Sequence, residues 1–283
     1  MGTTDIAATD AAQQDTELKN KHRRMWGLGD YPRVARELVS PLGEVLVDAL
    51  HISEGEGERV LDVAAGTGSA AVRAARLGAT VVASDLTREL IDAGRAENPD
   101  VDLTWDVADA EALPYADDEF DVVMSCIGVM FAPHHQQAAD EMVRTCRPGG
   151  RIGIVSWTPE GAIGQLFATM KQYVPPPPPG ASPPPLWGNE DHVRDLLEDR
   201  VRDVRFRRLT LPVTHFEDGA QFRDYFAAHY GPTIAAYAAH ADDPARTEEL
   251  SRDLAALGDS QGTGSGADFA MQWEYLLVTA EVR

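Results

Sequence analysis

A glycine-rich stretch, followed by an acid at the end of a second apolar run, constrains the fold of this chain most. Residues 60–71 are VLDVAAGTGSAA, and residues 81–85 are VVASD. An apolar strand, a tight glycine turn, a helix and a second strand ending in a carboxylate are typical of a nucleotide-binding α/β sheet. The carboxylate of Asp85 is suited to accept hydrogen bonds from a ribose diol. The pattern therefore predicts a site for an adenosine-containing ligand.

The glycine turn is compatible with two kinds of ligand, a dinucleotide and an adenosine compound with an amino acid tail. Gly66 and Gly68 let a ligand approach the backbone, and the helix that starts near Ser69 directs free N–H groups into the same space. With Ala71, these glycines also satisfy the dinucleotide fingerprint G-x-G-x-x-(G/A). Asp62 would bring negative charge towards a pyrophosphate, whereas it would attract an ammonium group. The pattern therefore favours a ligand with an amino acid tail over a dinucleotide.

Apolar runs and helical stretches alternate along most of the chain, which predicts an α/β protein. Right-handed crossovers between successive strands make the sheet mainly parallel. The 283 residues are enough for one large core. The predicted strands lie near residues 60–64, 81–85, 101–105, 120–126, 151–157, 204–213 and 272–282.

Two further segments resemble a known family. Residues 108–131 are ADAEALPYADDEFDVVMSCIGVMF, and residues 144–157 are RTCRPGGRIGIVSW. With the glycine turn and the acid after it, these motifs make residues 59–157 resemble the class I S-adenosylmethionine-dependent methyltransferases. Within that family the chain looks like the small-molecule branch that includes the ubiquinone and menaquinone C-methyltransferases. The resemblance implies a Rossmann-like fold with a helical cap, whose seven-stranded, mostly parallel sheet has the order 3-2-1-4-5-7-6 and is flanked by helices.

The resemblance also implies S-adenosylmethionine as the cofactor and gives each motif a role. The methionine part would lie against the glycine turn, and Asp85 would bind the ribose hydroxyls. Leu86, Asp109 and Ala110 would surround the adenine, and residues 125–128 would lie under the sulfonium. The implied cofactor-binding residues are Asp62, Ala64, Gly66, Thr67, Gly68, Asp85, Leu86, Asp109, Ala110 and Cys126.

The chain divides into five predicted parts. Its first residues are small, polar and aperiodic, which predicts disorder. The next part carries an apolar stripe at helical spacing between Tyr31 and Leu50, and a GEGE turn at residues 55–58 leads into the first strand. The parts are a disordered segment at 1–16, a helical lid at 17–55, the cofactor-binding core at 56–172, a Pro-rich loop at 173–190 and the C-terminal sheet at 191–283.

The substrate pocket is predicted to lie under the lid, the Pro-rich loop and a helical cap insertion at residues 216–269. Consecutive prolines fix a stiff polyproline II path, which predicts a rigid pocket wall. In the insertion, Gly231 and Pro232 end one helix, Asp243 and Pro244 start another, and residues 258–266 form a mobile return. Aromatic residues at helical spacing are also typical of core packing. The predicted substrate and lid residues are Trp26, Tyr31, Phe131, Trp187 and Tyr230.

The implied chemistry is a direct displacement in which an O, N or C centre of a metabolite takes the methyl group and S-adenosylhomocysteine is released. His134 and His135 follow the fourth strand, and His229 lies on the cap, so each is a candidate general base. Adjacent histidines at a helix start are also typical of exposed first-turn residues, and many enzymes of this resemblance need no base. The poly-proline wall and the aromatic insertion favour a partly apolar, planar or isoprenoid acceptor.

Composition excludes several partners. The chain has 25 basic and 46 acidic residues and a net charge of −21, which repels nucleic acid and anionic membranes. It shows neither a signal peptide nor an apolar run long enough for a membrane span, which predicts a cytoplasmic protein. Cys126 and Cys146 lack metal-binding spacing, so we expect free thiols and no metal. The expected partner is a small-molecule methyl acceptor, and the chain is expected to be a monomer or a homodimer.

Two other functions remain open. The first is an NAD(P)-dependent oxidoreductase, although Asp62, the motifs at residues 108–157 and the lack of a Tyr-x-x-x-Lys pair after the fourth strand argue against it. The second is a protein that binds S-adenosylmethionine without transferring its methyl group. Formation of a methylated product distinguishes this second function from a methyltransferase.

Overall fold

One mixed β-sheet forms the centre of the protein in a computed structural model that describes residues 3–52 and 57–283. Its strands are β1 Arg59–Val63, β2 Thr80–Asp85, β3 Thr104–Val107, β4 Phe120–Cys126, β5 Cys146–Trp157, β6 Val201–Val213, β7 Gly262–Thr263 and β8 Ala270–Val282. The sheet order is β3-β2-β1-β4-β5-β8-β6, and the two-residue β7 pairs with the start of β8. Apart from β7, this is the predicted order 3-2-1-4-5-7-6, which confirms the α/β Rossmann-like fold.

The first five strands are parallel, and β8 is inserted antiparallel between β5 and β6. The middle strands are buried along almost their whole length, as expected for strands that helices cover on both faces. The edge strand β6 is mostly exposed and carries four arginines, which discourage pairing with another sheet edge. Strand β3 starts at Thr104 rather than at the predicted Val101, because its pairing with β2 runs from Thr104 to Val107.

Helices cover both faces of this sheet and also lie over the carboxyl ends of its parallel strands. Their bounds are α1 Thr3–Trp26, α2 Tyr31–Val34, α3 Pro41–Ala49, α4 Ser69–Arg76, α5 Arg88–Glu97, α6 His135–Thr145, α7 Ala162–Met170, α8 Glu190–Leu197, α9 Gly219–His229, α10 Gly231–Ala238 and α11 Pro244–Gln261. A π-helical turn at Ala35–Val39 joins α2 to α3. Short 3-10 turns lie at Val129–Phe131, Lys171–Tyr173, Pro184–Gly188, Glu198–Arg200 and Gly266–Asp268.

The N-terminal segment differs from its prediction. Residues 1–16 were expected to be disordered, but helix α1 extends from Thr3 to Trp26. The polar segment is rich in alanine and glutamine, which have high helix propensity even where no apolar stripe marks a helix. Met1 and Gly2 lie outside the described residues, as does the first half of the predicted turn at 55–58, of which residues 57 and 58 are described.

The predicted helix from Tyr31 to Leu50 is divided into α2, the π-helical turn and α3. The last division lies before Pro41, because proline has no backbone N–H to donate within a continuous helix. The predicted apolar stripe is nevertheless confirmed. Its inward positions Val34, Leu38, Leu42 and Leu46 are all buried in the main core.

The segment predicted as the cap insertion contains helices α9, α10 and α11. Helix α9 ends at His229, and Gly231 and Pro232, which were predicted to end it, begin α10. Asp243 caps α11, because its side chain accepts a hydrogen bond from the Arg246 backbone N–H. Helix α11 continues to Gln261, so the prediction that a mobile return begins at Gly258 is wrong. A Cβ on Gly258 would lie 2.6 Å from the Gly219 Cα, which shows that this glycine lets α9 and α11 cross closely.

The Pro-rich loop forms neither helix nor strand over residues 174–183, as its prolines predict. Trp187 anchors the end of this loop, because its side chain is fully buried in the core. In the two described stretches, the structure contains no helix that combines the length and the apolar character needed to cross a bilayer.

Substitution of Gly258 tests the close crossing of α9 and α11. Alanine is usually better than glycine inside a helix by up to about 1 kcal/mol. We expect Gly258→Ala instead to lower the free energy of unfolding by about 1–3 kcal/mol, because its methyl group would overlap Gly219. Urea denaturation measures this change. Ser260→Ala, at an exposed position of the same helix, is the control and should change stability little. A stabilised Gly258→Ala protein would contradict this packing.

Candidate functional site

The glycine turn between β1 and α4 forms the floor of the site. Ala64, Gly66 and Gly68 all have positive φ angles, of 55°, 58° and 80°. Glycine adopts this conformation readily, whereas alanine does so at a cost of about 1–2 kcal/mol. A Cβ on Gly68 would lie 2.6 Å from the Trp105 ring, so this position also requires glycine for packing. The turn thus brings backbone close to any ligand at the start of α4.

Asp85 connects the end of β2 to this turn. One carboxylate oxygen accepts a hydrogen bond from the Gly66 backbone N–H at 2.9 Å, and the other accepts one from the Thr87 N–H at 2.8 Å. Burial raises the pKa of Asp85, and the two backbone hydrogen bonds oppose that rise. The carboxylate borders the main cavity with lone pairs left for a ligand, since each oxygen can accept more than one hydrogen bond.

Asp62 lies beneath the turn and is almost completely buried. Its Oδ2 accepts a hydrogen bond from the Ala71 backbone N–H at 3.0 Å, while its Oδ1 is buried without a partner among the described residues. Burial raises the pKa of Asp62 to about 7, and nearby Asp85 adds to that rise. An unpaired buried carboxylate oxygen is costly, so a ligand that supplied a positive charge would stabilise this position.

The end of β4 forms the opposite wall. The Ser125 hydroxyl donates to the Val63 carbonyl at 2.7 Å and accepts from the Val129 N–H at 2.9 Å, which fixes this wall to β1. A Cβ on Gly128 would lie 1.8 Å from the Ala64 carbonyl oxygen, so only glycine fits there. Burial raises the pKa of Cys126, which keeps its thiol neutral.

These walls border a cavity of about 870 Å³, partly open to solvent, at the carboxyl ends of the strands. A cleft at this end of a parallel sheet is where α/β proteins usually bind cofactors and small molecules. Gly68 and Asp62 support the cavity from behind without lining it. The predicted residues that line the cavity are Trp26, Tyr31, Ala64, Gly66, Thr67, Asp85, Leu86, Asp109, Ala110, Cys126 and Phe131.

Helix α1 contributes three residues to this cavity, and sequence reasoning found only Trp26. Lys19 and His22 also line it. The three residues are spaced by three and four positions, so they share one helix face. This spacing was the available signal, but it could be used only once α1 was known to pack on the cavity. Burial lowers the pKa of His22, which keeps its imidazole neutral near pH 7.

Lys19 holds α1 to the cavity wall through three carboxylates. Its ammonium group lies 2.8 Å from both Asp109 and Glu111 and 2.9 Å from Asp15. Burial would lower the pKa of Lys19, but these hydrogen bonds outweigh it and the pKa is raised. Oxygen and nitrogen atoms of Asp15, Glu111 and His134 are close enough together to ligate a cation, and the Lys19 ammonium already lies against Asp15 and Glu111 there.

The predicted adenine contact Asp109 is therefore already engaged. Its Oδ2 pairs with Lys19, and its Oδ1 accepts a hydrogen bond from the Glu111 backbone N–H at 3.0 Å. The side chain still borders the cavity. A contact from Asp109 to adenine would have to use a remaining lone pair or displace Lys19.

The lid residues predicted from separate parts of the chain meet in one aromatic cluster, defined as Trp26, Tyr31, Phe131 and Tyr230. The ring centroid of Trp26 lies 5.2 Å from that of Tyr31, 4.6 Å from that of Phe131 and 5.7 Å from that of Tyr230. These distances are typical of stabilising aromatic pairs. The cluster closes the end of the main cavity next to Cys126.

A second, small cavity, partly open to solvent, is lined by three members of this cluster, Tyr31, Phe131 and Tyr230. Tyr31, Val39 and Phe131 line both cavities, so the two share a wall. All residues that line the second cavity are aromatic or aliphatic. Its aromatic residues are Tyr31, Phe131, Trp157, Phe226, Tyr230 and Trp273.

The three candidate bases lie elsewhere. His134 Nδ1 lies 2.9 Å from Glu111 Oε2, and His135 Nδ1 lies 2.9 Å from His192 Nε2. Burial lowers the pKa of His135 to about 4, so this imidazole is neutral and belongs to the core. The His229 ring packs on Tyr225 at 4.9 Å on the cap. None of the three candidates lines either cavity.

Trp187 also lies outside both cavities, so the structure places it in the core and not at a substrate wall. Its ring centroid is 5.6 Å from that of His135. The Pro-rich loop approaches the main cavity only indirectly, because the Ser182 N–H donates to the carbonyl of Pro133, which lines it. The sequence indicated the stiffness of this loop but not the direction in which it packs.

Comparison with known proteins agrees with this geometry. Residues 61–154 match the model of a methyltransferase domain. An uncharacterised protein of Mycobacterium tuberculosis is 48% identical over 274 residues, which cover 96% of this chain and 98% of that protein. The demethylmenaquinone methyltransferase of Renibacterium salmoninarum is 37% identical over 114 residues, which cover 40% of this chain and 46% of that enzyme.

Among solved structures, the YcgJ protein of Bacillus subtilis is similar, with a TM-score of 0.58 at 14% identity. The likeness covers 86% of this chain and 98% of that protein. At this identity the similarity is one of fold. The range that matches the domain model begins within β1 and ends within β5, so it contains the glycine turn, Asp85 and the wall after β4.

Replacement of Lys19 tests how α1 is held. We expect Lys19→Met to lower the free energy of unfolding by about 1–3 kcal/mol, because Asp109 and Glu111 lose a charge-assisted hydrogen bond and repel each other. Hydrogen exchange should become faster in α1 than in the sheet. Lys21→Met, at an exposed position of the same helix, is the control and should leave exchange unchanged. Equal exchange in the two variants would contradict the anchoring role of Lys19.

Proposed function

We propose that this chain, which belongs to the class I methyltransferase family, transfers a methyl group from S-adenosylmethionine to a small-molecule metabolite. The observation that carries the proposal is the pair of buried carboxylates at the glycine turn. Asp62 has an unpaired oxygen suited to an ammonium group, and Asp85 borders the cavity with acceptors suited to a ribose diol. Asp85 lies in the cavity lining, and Asp62 lies directly behind it beneath the glycine turn.

The cavity residues fit the cofactor part by part. The ammonium group would satisfy Asp62 Oδ1, and the methionine chain would lie along Ala64, Gly66 and Thr67, supported by Gly68. Asp85 would hold the ribose. The adenine would lie between Leu86 and Ala110, towards Asp109, and Cys126 would border the methionine chain. The positive φ of Ala64 and the close contact between Gly128 and the Ala64 carbonyl support this proposal, because they hold the glycine turn and the wall after β4 together.

The bound cofactor supplies a methyl group attached to a positively charged sulfur. The acceptor atom would use a lone pair, or a π-electron pair if it is carbon, to form the new bond to the methyl carbon, the electrons of the S–CH3 bond would remain on sulfur, and the acceptor's proton would pass to solvent. The protein's part is to align the reactants and to exclude water. Trp26, Tyr31 and Phe131 are placed to do both, and their ring faces attract a positive sulfur.

The acceptor is proposed to be a small molecule, because the lining of the main cavity includes Trp26, Tyr31 and Phe131 of the aromatic cluster, which narrow the access to it. The net charge of −21 also opposes binding to nucleic acid. The name of the similar demethylmenaquinone methyltransferase indicates that it acts on demethylmenaquinone, which agrees with an apolar acceptor. Whether oxygen, nitrogen or carbon receives the methyl group depends on the acceptor.

The two alternative functions make different demands on the same cavity. A nicotinamide dinucleotide would place a pyrophosphate at the glycine turn, where buried Asp62 would repel it. A binding protein without catalysis would hold S-adenosylmethionine but would not release S-adenosylhomocysteine when an acceptor is added. Calorimetry with the two cofactors tests the first alternative, and analysis of the products tests the second.

Calorimetric titration with S-adenosylhomocysteine, and separately with NADH, tests the cofactor. We expect S-adenosylhomocysteine to bind and NADH not to bind. Asp85→Asn should weaken S-adenosylhomocysteine binding about 10-fold to 100-fold, because an amide cannot accept both ribose hydrogen bonds. Asp100→Asn, at an exposed position after α5, is the control with unchanged affinity. Binding of NADH alone would overturn the proposal.

The pH dependence of the same binding tests Asp62. Because burial raises the folded-state pKa to about 7 from an ordinary 3.8, the ligand-free protein loses stability as pH rises from about 4 to about 7. A ligand ammonium group requires the ionised carboxylate. The affinity for S-adenosylhomocysteine should therefore rise with pH up to about 7 and then level off. Asp62→Asn should remove this rise, and Asp100→Asn should retain it. A rise that persists in Asp62→Asn would rule out Asp62 as its source.

A further inference from the structure

The described lining of the main cavity contains one imidazole, that of His22. Helix α1 presents it on the same face as Lys19 and Trp26, which lie three residues before it and four residues after it. A turn of helix rises about 5.4 Å, so each of these neighbours is about one turn away. His22 therefore lies between the aromatic cluster, to which Trp26 belongs, and the wall that Lys19 contacts.

The wall opposite α1 follows the same direction. Ala132 and Pro133 line the main cavity directly after Phe131, and the next residue, His134, donates its backbone N–H to Glu111. The wall thus leads from the aromatic cluster to Glu111, as α1 leads from Trp26 to Lys19. A group held at the pair of Trp26 and Phe131 has His22 about one helical turn away, which a direct or a water-mediated hydrogen bond can span.

The carboxylates of the described lining are already engaged. Asp85 accepts hydrogen bonds from two backbone N–H groups at the glycine turn and after β2. Asp109 pairs with Lys19 and also accepts a hydrogen bond from the Glu111 backbone N–H. Both carboxylates hold the walls of the cavity together, so neither is placed to take a proton from a substrate.

The remaining titratable groups of this lining, His22 apart, carry their protons at neutral pH. Burial would lower the pKa of Lys19, but its hydrogen bonds to carboxylates raise it, and burial raises the pKa of Tyr31 and of Cys126. Burial has the opposite effect on an imidazole and lowers the pKa of His22 from its ordinary 6.5. His22 is thus neutral at pH 7 and has a lone pair that can accept a proton.

We propose that His22 is the general base of methyl transfer and that the acceptor presents a hydroxyl or an N–H group to it. This inference rests on the proposed function, since it assigns a catalytic residue to the same site. As the lone pair of the acceptor's oxygen or nitrogen forms the bond to the methyl carbon, the electrons of the S–CH3 bond remain on sulfur. The imidazole takes the acceptor's proton and then releases it to solvent, which the half-buried side chain reaches.

Glu111 supports this role from behind the cavity wall. Its carboxylate is completely buried, and its negative charge acts on His22 in the direction that raises the pKa. The imidazolium that forms during transfer is therefore stabilised by a charge that is already in place. A base in the cavity also widens the range of acceptors, because an alcohol, a phenol or a neutral amine need not lose its proton before it binds.

The methyl signal of bound S-adenosylmethionine tests the position of His22 without an acceptor. The cofactor is labelled with carbon-13 in its methyl group, and its NMR signal is recorded from about pH 5 to about pH 8, the range in which histidine titrates. We expect the bound signal to move with an apparent pKa below the ordinary 6.5 of histidine. Asp62, whose pKa is about 7, also lies near the cofactor, so the titration is repeated in Asp62→Asn, where the histidine transition should remain.

Histidine variants identify the source of this transition. His22→Asn should remove it, and His22→Gln replaces that variant if it fails to fold. His240→Asn is the control and should retain the transition, because His240 bonds to the Tyr173 carbonyl and does not line the cavity. His134→Asn should also retain it, although His134 contacts Glu111. A transition that survives in His22→Asn would refute the assignment.

The charge on the sulfur gives a second readout. The pKa of His22, measured from its ring-proton signals, should be lower by about one unit with S-adenosylmethionine than with S-adenosylhomocysteine, because a nearby positive sulfur disfavours the imidazolium. Equal values in the two complexes would place His22 away from the reacting atoms and overturn this inference.

The same spectra separate this inference from the proposed function. A methyl signal distinct from that of free S-adenosylmethionine shows that the cofactor is bound. Such a signal without a transition that depends on His22 would overturn the role of His22 and leave the proposed function intact. If no bound signal appears at any pH, the proposed function fails and this inference fails with it.

Discussion

The site depends on the carboxylate of Asp85, which joins two backbone segments that are distant in the chain. By accepting hydrogen bonds from Gly66 and Thr87, it holds the glycine turn after β1 against the end of β2. The same group is buried and borders the cavity, so the energetic cost of keeping it there is incurred before any ligand binds. The fold and the binding site therefore share one constraint, and a change at Asp85 affects both.

Much of this arrangement could be predicted from the sequence because its determinants are local. The glycine turn, the acid of β2 and the alternation of strands with helices each occupy a few consecutive residues, and right-handed crossovers then make the sheet mainly parallel. The strand order itself was implied by the resemblance to the methyltransferase family. Trp26, Tyr31, Phe131 and Tyr230 were predicted separately and do meet, because a lid and a cap over one sheet edge leave a single place for large aromatic side chains.

The errors concern contacts that only tertiary packing decides. Trp187 follows a stiff loop, and the sequence does not indicate whether that loop turns its indole to the pocket or to the core, where it lies. Gly258 is a turn residue by composition, yet close contact with Gly219 keeps it inside a helix. Lys19 belongs to a segment without an apolar stripe, and its importance comes from Asp109 and Glu111, which lie far away in the chain.

The group of charges around Lys19 has a consequence for the ligands that the main cavity accepts. One ammonium faces the three carboxylates of Asp15, Asp109 and Glu111, so negative charge is left over beside the cavity, which Lys19 and Asp109 line. This surplus repels a ligand that carries phosphates more than one that carries none. The charge pattern that anchors the N-terminal helix therefore also disfavours anionic ligands at this end of the cavity.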